Sequence, residues 1–418
     1  MKHKKIALVS LSVIVSVATM IILIIALASY FQARPDHPTR SDQAENIQES
    51  TNGKISNESV AIPKTATTLD VVSTTSAFPF LQRWIAQYQD RQPASTGDVN
   101  VEYLADREIN SADRDSARSH LAIVGTANEN DNNNDTLYIP VSAQAVAIVY
   151  NVPSFPDIPS GLRLNSTTLF YILNGNITQW DDAAIKQLNP SLNLPGQRIV
   201  VVHSTEDDAS NNNNFYSSEN VSSSQMLLRQ YLGFRSYIWP QNDSITASGP
   251  AELAEMVRKI PYSIGYVDFS YAVQTRMTYA ALENTQGDYI LPSTQSIDKA
   301  VDIALQFHNP SGERLSTLQQ QQLPPTINAS RIVNDSYPIV GLYYASVSAN
   351  NEYDDRYEEE GKRISAAILD FIEWITSEDG GQQTLLEVQY PPIYSGNEQL
   401  ITYAKATIDR IQNFSSNQ

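Results

Sequence analysis

The sequence predicts a two-domain α/β body set outside the cytoplasm, behind an N-terminal membrane segment and a polar tether. Three observations carry this reading. The chain opens on a basic stretch and a charge-free run, strand-like and helix-like segments alternate from about Thr67 onward, and 418 residues exceed one ordinary domain.

Met1-Lys-His-Lys-Lys5 is basic, and the run from Ile6 to Tyr30 carries no charge, long enough for a helix to span a bilayer. A positive flank stays cytoplasmic, which places the body outside as a single-pass protein of the cell membrane. The pattern Ala26-Leu27-Ala28 would suit a cleaved signal peptide, but the apolar run is longer than a typical signal core. A retained anchor over 1–32 is therefore expected. From Arg34 to Thr67 the chain is polar and free of aromatic residues, so 33–65 reads as a flexible linker with a reach on the order of 30 Å.

In the body, Tyr138–Tyr150 and Arg198–Val202 read as buried strands, while Phe80–Tyr88 and Lys362–Ile375 carry apolar residues at helical spacing. Trp180, Trp239 and Trp374 are large apolar bodies expected in cores. Gly175, Gly265 and the prolines are expected to serve turns. Asn128–Asp135 and Asn211–Asn214 read as solvated loops, and the first lacks the glycine and terminal Glu of a calcium loop.

Composition narrows function. With 28 basic against 46 acidic residues the net charge is −18, which argues against a nucleic-acid surface and fits solubility at a crowded or salty surface. The absence of cysteine excludes a disulfide, a thiolate metal site, a thiol nucleophile and a lipoprotein anchor. Asn-X-Ser/Thr sequons recur from Asn57 to Asn413, as suits an exported surface. A serine nucleophile needs a positioned base, and the 5 histidines offer no recognisable pairing. His203 with Asp207 reads as part of a solvated loop, and Asp354–Glu360 as a solvated helix start. No catalytic residue, cofactor or metal site is expected.

Several landmarks arrive in a familiar order. Ala77-Phe78-Pro79-Phe80-Leu81-Gln82-Arg83-Trp84 is followed by Ile148-Val149-Tyr150-Asn151-Val152-Pro153 and by Leu169-Phe170-Tyr171-Ile172-Leu173-Asn174-Gly175-Asn176-Ile177-Thr178-Gln179-Trp180. Ser263-Ile264-Gly265-Tyr266-Val267-Asp268, Phe371-Ile372-Glu373-Trp374 and Tyr390-Pro391-Pro392-Ile393 complete the set. Over about Thr67 to Ile411 the chain resembles the PstS-type phosphate-binding proteins of phosphate ABC importers. The resemblance implies a two-lobed, type II periplasmic-binding-protein-like α/β fold with two crossing hinge strands and a ligand cleft that closes by hinge motion. It places lobe 1 at 66–145 and 336–418, and lobe 2 at 146–335.

It also implies where a ligand is held. In the family a buried phosphate meets backbone N–H groups and hydroxyls at helix N-termini, helped by an Arg, while a carboxylate accepts the phosphate proton. Carried onto this chain, the binding positions are Thr75, Ser76, Ala77, Phe78, Arg107, Asn128, His203, Ser204, Asp207 and Asp208. Each segment departs from the pattern. Ser73–Phe78 and Ala105–Ser111 lack the family's glycines, Asn128 stands in place of the proton-accepting Asp, and His203 replaces the Arg. Glu206, Asp207 and Asp208 stand where neutral donors belong. Arg107 or Arg114 would pair with these acids from the opposing lobe and clasp the cleft shut. The implied function is capture of phosphate or another oxyanion for an ABC importer permease. The alternative is a binding-deficient scaffold or sensory module.

Overall fold

The structure, a computed structural model, describes residues 67–91, 99–104, 119–127, 136–153, 161–204, 222–233, 239–240, 244–307, 324–348 and 358–416. All of them fall in one unit, Pro63–Gln418. The expected anchor and linker lie outside the described residues, as do Arg107, Arg114, Asn128, Glu206, Asp207 and Asp208. Among the described residues no helix is long and apolar enough to cross a membrane.

The chain enters as β1 (Thr67–Ser73), turns through a 3-10 segment at Thr75–Ala77 and continues as helix α1 (Phe78–Arg91). Phe80, Leu81, Trp84 and Tyr88 recur at helical spacing and are all fully buried, so the apolar stripe that defines the helix also docks it. Strands β2 (Val99–Tyr103) and β3 (Leu121–Val124) flank β1 in parallel. Next comes β4 (Thr136–Asn151), the 16-residue strand read from Tyr138–Tyr150.

The following stretch supplies β5 (Arg163–Leu164), α2 (Ser166–Leu173), α3 (Ala183–Leu188), β6 (Val200–Ser204) and α4 (Ser223–Tyr231). Then come β7 (Ser244–Ala247), α5 (Pro250–Lys259), β8 (Ser263–Asp268), α6 (Phe269–Gln274), β9 (Ala281–Glu283), β10 (Tyr289–Ile290) and α7 (Thr294–Ala304). The last segments are β11 (Leu305–Phe307), β12 (Pro325–Ile327), β13 (Val340–Ser348), α8 (Glu358–Thr376), α9 (Gln383–Glu387) and α10 (Glu398–Ser416).

An eight-stranded sheet in the order β2-β1-β3-β13-β4-β8-β6-β7 runs through the body. Its continuity depends on β4. Thr136–Ala145 pairs antiparallel with β13, whereas Val146–Asn151 pairs with β8, so one strand belongs to two half-sheets. The chain returns beside the same point. Val146 N–H donates to Ile339 O at 3.1 Å and the Tyr337 hydroxyl donates to Val146 O at 2.8 Å. Near-continuous burial of β4 follows from helices covering both faces, which is why its sequence is an apolar run rather than an alternation.

Three expectations need correction. The strand expected at Arg198–Val202 begins at Val200, because Ile199 N–H instead bonds Thr178 O at 2.9 Å. Gly265 serves no turn. It lies inside β8, where a Cβ would come within 2.9 Å of Leu253 Cδ2 and 3.1 Å of Val202 O, so a side chain is excluded by the packing of α5. Trp180 and Trp374 are core residues, but Trp239 is half-buried and stacks on His203 with ring centroids 4.5 Å apart.

Candidate functional site

In open α/β sheets, ligands lie beyond the carboxyl ends of the strands, where chain crossovers leave a crevice. Here those ends bring together the turn after β1, the end of β3, the middle of β4 and the N-terminus of α4. Ser73 closes β1 fully buried, and its Oγ has no hydrogen-bond partner. Thr75 and Ser76 form the turn that starts α1, with Thr75 exposed and Ser76 half-buried. Ala77 is buried, and the Phe78 ring rests 4.7 Å from that of Tyr103.

Ser76 is tied into the core. Its carbonyl accepts from the Tyr390 hydroxyl at 2.6 Å, and the Tyr390 ring packs against that of Tyr343 with centroids 6.2 Å apart. The Tyr343 hydroxyl in turn donates to Asp268 Oδ2 at 2.8 Å. Asp268 ends β8 and caps α6, accepting from Ser270 N–H at 2.9 Å. Loss of water around this carboxyl pushes its pKa up to about 6, and the hydrogen bonds it accepts only partly offset that. A chain of hydrogen bonds and ring contacts thus joins the turn at Ser76 to the half-sheet built on β8.

His203 and Ser204 end β6, both buried. The imidazole faces Trp239 with the rings 5° from parallel, and Nδ1–H donates to Ser204 O at 3.3 Å. Ser204 N–H donates to the Tyr266 hydroxyl at 3.4 Å. His203 therefore sits in an aromatic stack rather than on an open loop, although sequence position placed it where the family presents a cation.

The N-terminus of α4 is the part sequence reasoning missed. Ser222 caps it, its Oγ accepting from Gln225 N–H at 3.3 Å. Ser223 and Ser224 occupy the first helical turn, where backbone N–H groups have no intrahelical partner. From β4, Gln144 Nε2 donates to Ser223 Oγ at 2.8 Å and approaches Ser224 Oγ at 3.4 Å. Gly125, one residue past β3, lies against Ser223, for a Cβ there would be 2.2 Å from Ser223 Oγ and 3.0 Å from Gln144 Oε1. The donors gathered here are neutral hydroxyls, an amide and backbone N–H groups. The signal was present in Ser222-Ser223-Ser224 ahead of Met226-Leu227-Leu228, an N-cap pattern, and in a lone amide within the apolar run of β4. Among the described residues, no cluster of His, Asp or Glu is placed to hold a metal ion.

A family model described as a PBP superfamily domain matches residues 58–379. The phosphate-binding protein PstS of Methanocaldococcus jannaschii is 26% identical over 329 residues, covering 74% of this chain and 79% of that protein. PstS of Xylella fastidiosa is 26% identical over 338 residues, covering 76% and 79%. The crystal structure of a phosphate ABC transporter substrate-binding protein from Clostridium perfringens, solved with bound phosphate, has a TM-score of 0.50 at 15% identity and covers 78% of this chain and 99% of its own. That likeness concerns the fold, which is the two-lobed α/β fold. With the matched segment running from before β1 to beyond α8, the chain belongs to the PBP superfamily and resembles its PstS-type members.

Proposed function

We propose that this chain is an extracytoplasmic solute-binding protein of the PstS type, which captures phosphate or another small oxyanion between its lobes for an ABC importer permease. Lobe 1 comprises 66–145 and 336–418, and lobe 2 comprises 146–335. The segment Ile6–Tyr30 holds the protein at the membrane. The work is binding and release, with no bond made or broken in the ligand.

The observation that supports this most is the N-terminus of α4, facing Gly125 across the strand ends with Ser222, Ser223 and Ser224 around it. Unpaired N–H groups and the positive end of the helix dipole favour an anion there. Glycine at 125 lets the first half-sheet approach that end closely. The two PstS relatives named above are phosphate-binding proteins, which agrees with the choice of ligand class.

A second reading, a binding-deficient surface scaffold or sensory module, is favoured by Gln144, whose amide already occupies the serine hydroxyls. Isothermal calorimetry of the full chain with inorganic phosphate, run with a chelator, separates the two. Capture predicts saturable heat at a single site, with Kd in the micromolar range because the donors are neutral and the chain is acidic. No heat at millimolar phosphate turns the function to the scaffold or sensory role.

A further inference from the structure

Gln144 stands in the middle of β4, the strand shared by both half-sheets, and is fully buried. An amide costs free energy in such a place unless its hydrogen bonds are met, and here Oε1 has no partner. The side chain points between two elements from opposite half-sheets. Gly125 follows β3, which pairs with β1 and β13, whereas α4 follows β6, which pairs with β7 and β8. Oε1 is aimed into the contact of Gly125 with Ser223, and Nε2 is bonded to Ser223 itself. Leu227, one turn along α4, fills the space above Gly341 in the same way, with Cδ2 2.8 Å from where a Cβ would stand. Any hinge motion that lifts α4 from the end of β3 must therefore break the Gln144–Ser223 bond.

We propose that Gln144 is a built-in latch: its side chain fills the gap between Gly125 and the N-terminus of α4 where a ligand would lie, with Nε2–H donating to Ser223 Oγ, holds the cleft closed without ligand, and must be displaced before an oxyanion binds. The inference rests on the cleft reading above. It makes Gln144 the residue that sets affinity, since each ligand competes with an internal hydrogen bond that costs no loss of translational freedom.

The absence of cysteine allows a clean distance measurement. Gln187→Cys on α3 and Lys405→Cys on α10, both exposed positions and in opposite lobes as proposed above, carry spin labels in the full chain for pulsed dipolar spectroscopy. Without phosphate the parent is expected to give one narrow, short distance, and Gln144→Ala a longer, broader one. Ser223→Ala removes the same bond from the other side without touching β4, and is expected to lengthen the distance too. It keeps the test decisive if Gln144→Ala fails to fold. Distributions for the variants that superimpose on the parent would overturn the latch. Calorimetry on the same proteins addresses the ligand separately: Gln144→Ala is expected to bind phosphate about tenfold more tightly, the worth of one hydrogen bond. If neither protein binds phosphate, the ligand assignment fails while the distances still decide the latch.

Discussion

At the scale of single residues, the buried carboxyl of Asp268 gives the sharpest expectation. Its folded-state pKa of about 6 lies above the ordinary value near 3.9, so the folded protein holds the proton more tightly than the unfolded chain. The resulting stability is complete below about pH 4 and is lost as pH rises through 6, an effect of about 3 kcal/mol. Asp268→Asn keeps one oxygen to accept from Ser270 N–H, turns its NH2 toward the Tyr343 hydroxyl, which can accept, and cannot ionise. Urea unfolding at pH 4 and pH 7 should show the variant gaining about that much on the parent across the interval, and parallel profiles would refute it. The carboxylates of Glu206, Asp207 and Asp208 pose the complementary case. If they face the cleft, one carboxylate about 5 Å from a unit ligand charge costs roughly 3 kcal/mol at an effective dielectric near 20. The triple change E206Q/D207N/D208N should then tighten phosphate binding about a hundredfold in calorimetry, whereas an unchanged Kd would mean that the three point away.

Secondary-structure elements were legible wherever one periodicity ruled. The spacing of Phe80, Trp84 and Tyr88 announced α1, and the largely apolar run from Tyr138 to Tyr150 announced β4. The meeting of the α4 N-terminus with β4 was not legible, because Gln144 and Ser223 are 79 positions apart and Thr205–Val221 intervenes between β6 and the helix it feeds. The hydroxyl donors stand beyond that segment and not directly after the strand. Gly265 misled in the same manner, since a strand glycine excluded by a packed helix has no local mark to separate it from a turn glycine. The junction of α8 and α9 holds another such constraint. A Cβ on Gly381 would fall 2.4 Å from Ile375 Cα and 2.8 Å from its carbonyl oxygen, both backbone, and Trp84 Nε1–H binds Gly381 O at 2.8 Å. Backbone cannot step aside as a side-chain tip does. Gly381→Ala should therefore destabilise the fold by about 1–3 kcal/mol, read as a lower urea midpoint at unchanged slope, while Gly287→Ala, where a Cβ meets no atom within 4 Å but φ is +90°, should carry only the backbone penalty.

Across the whole molecule, charge and function pull in opposite directions. An anion approaching a chain of net charge −18 is repelled at long range, and among the described residues the short-range donors at the α4 N-terminus favour it. Salt separates the two, because the Debye length shrinks from about 30 Å at 0.01 M to about 8 Å at 0.15 M. Screening at the higher salt removes the distant repulsion of the acidic surface, yet leaves hydrogen bonds at contact distance nearly intact. The association rate of phosphate, followed by stopped-flow with a fluorescent label on the hinge side of the body, should accordingly rise severalfold between those salt concentrations. Capture steered by a positive cleft would do the reverse. A rate that falls with added salt would mean that cationic groups dominate the field at the cleft mouth, and that the acidic total describes surfaces the ligand never samples.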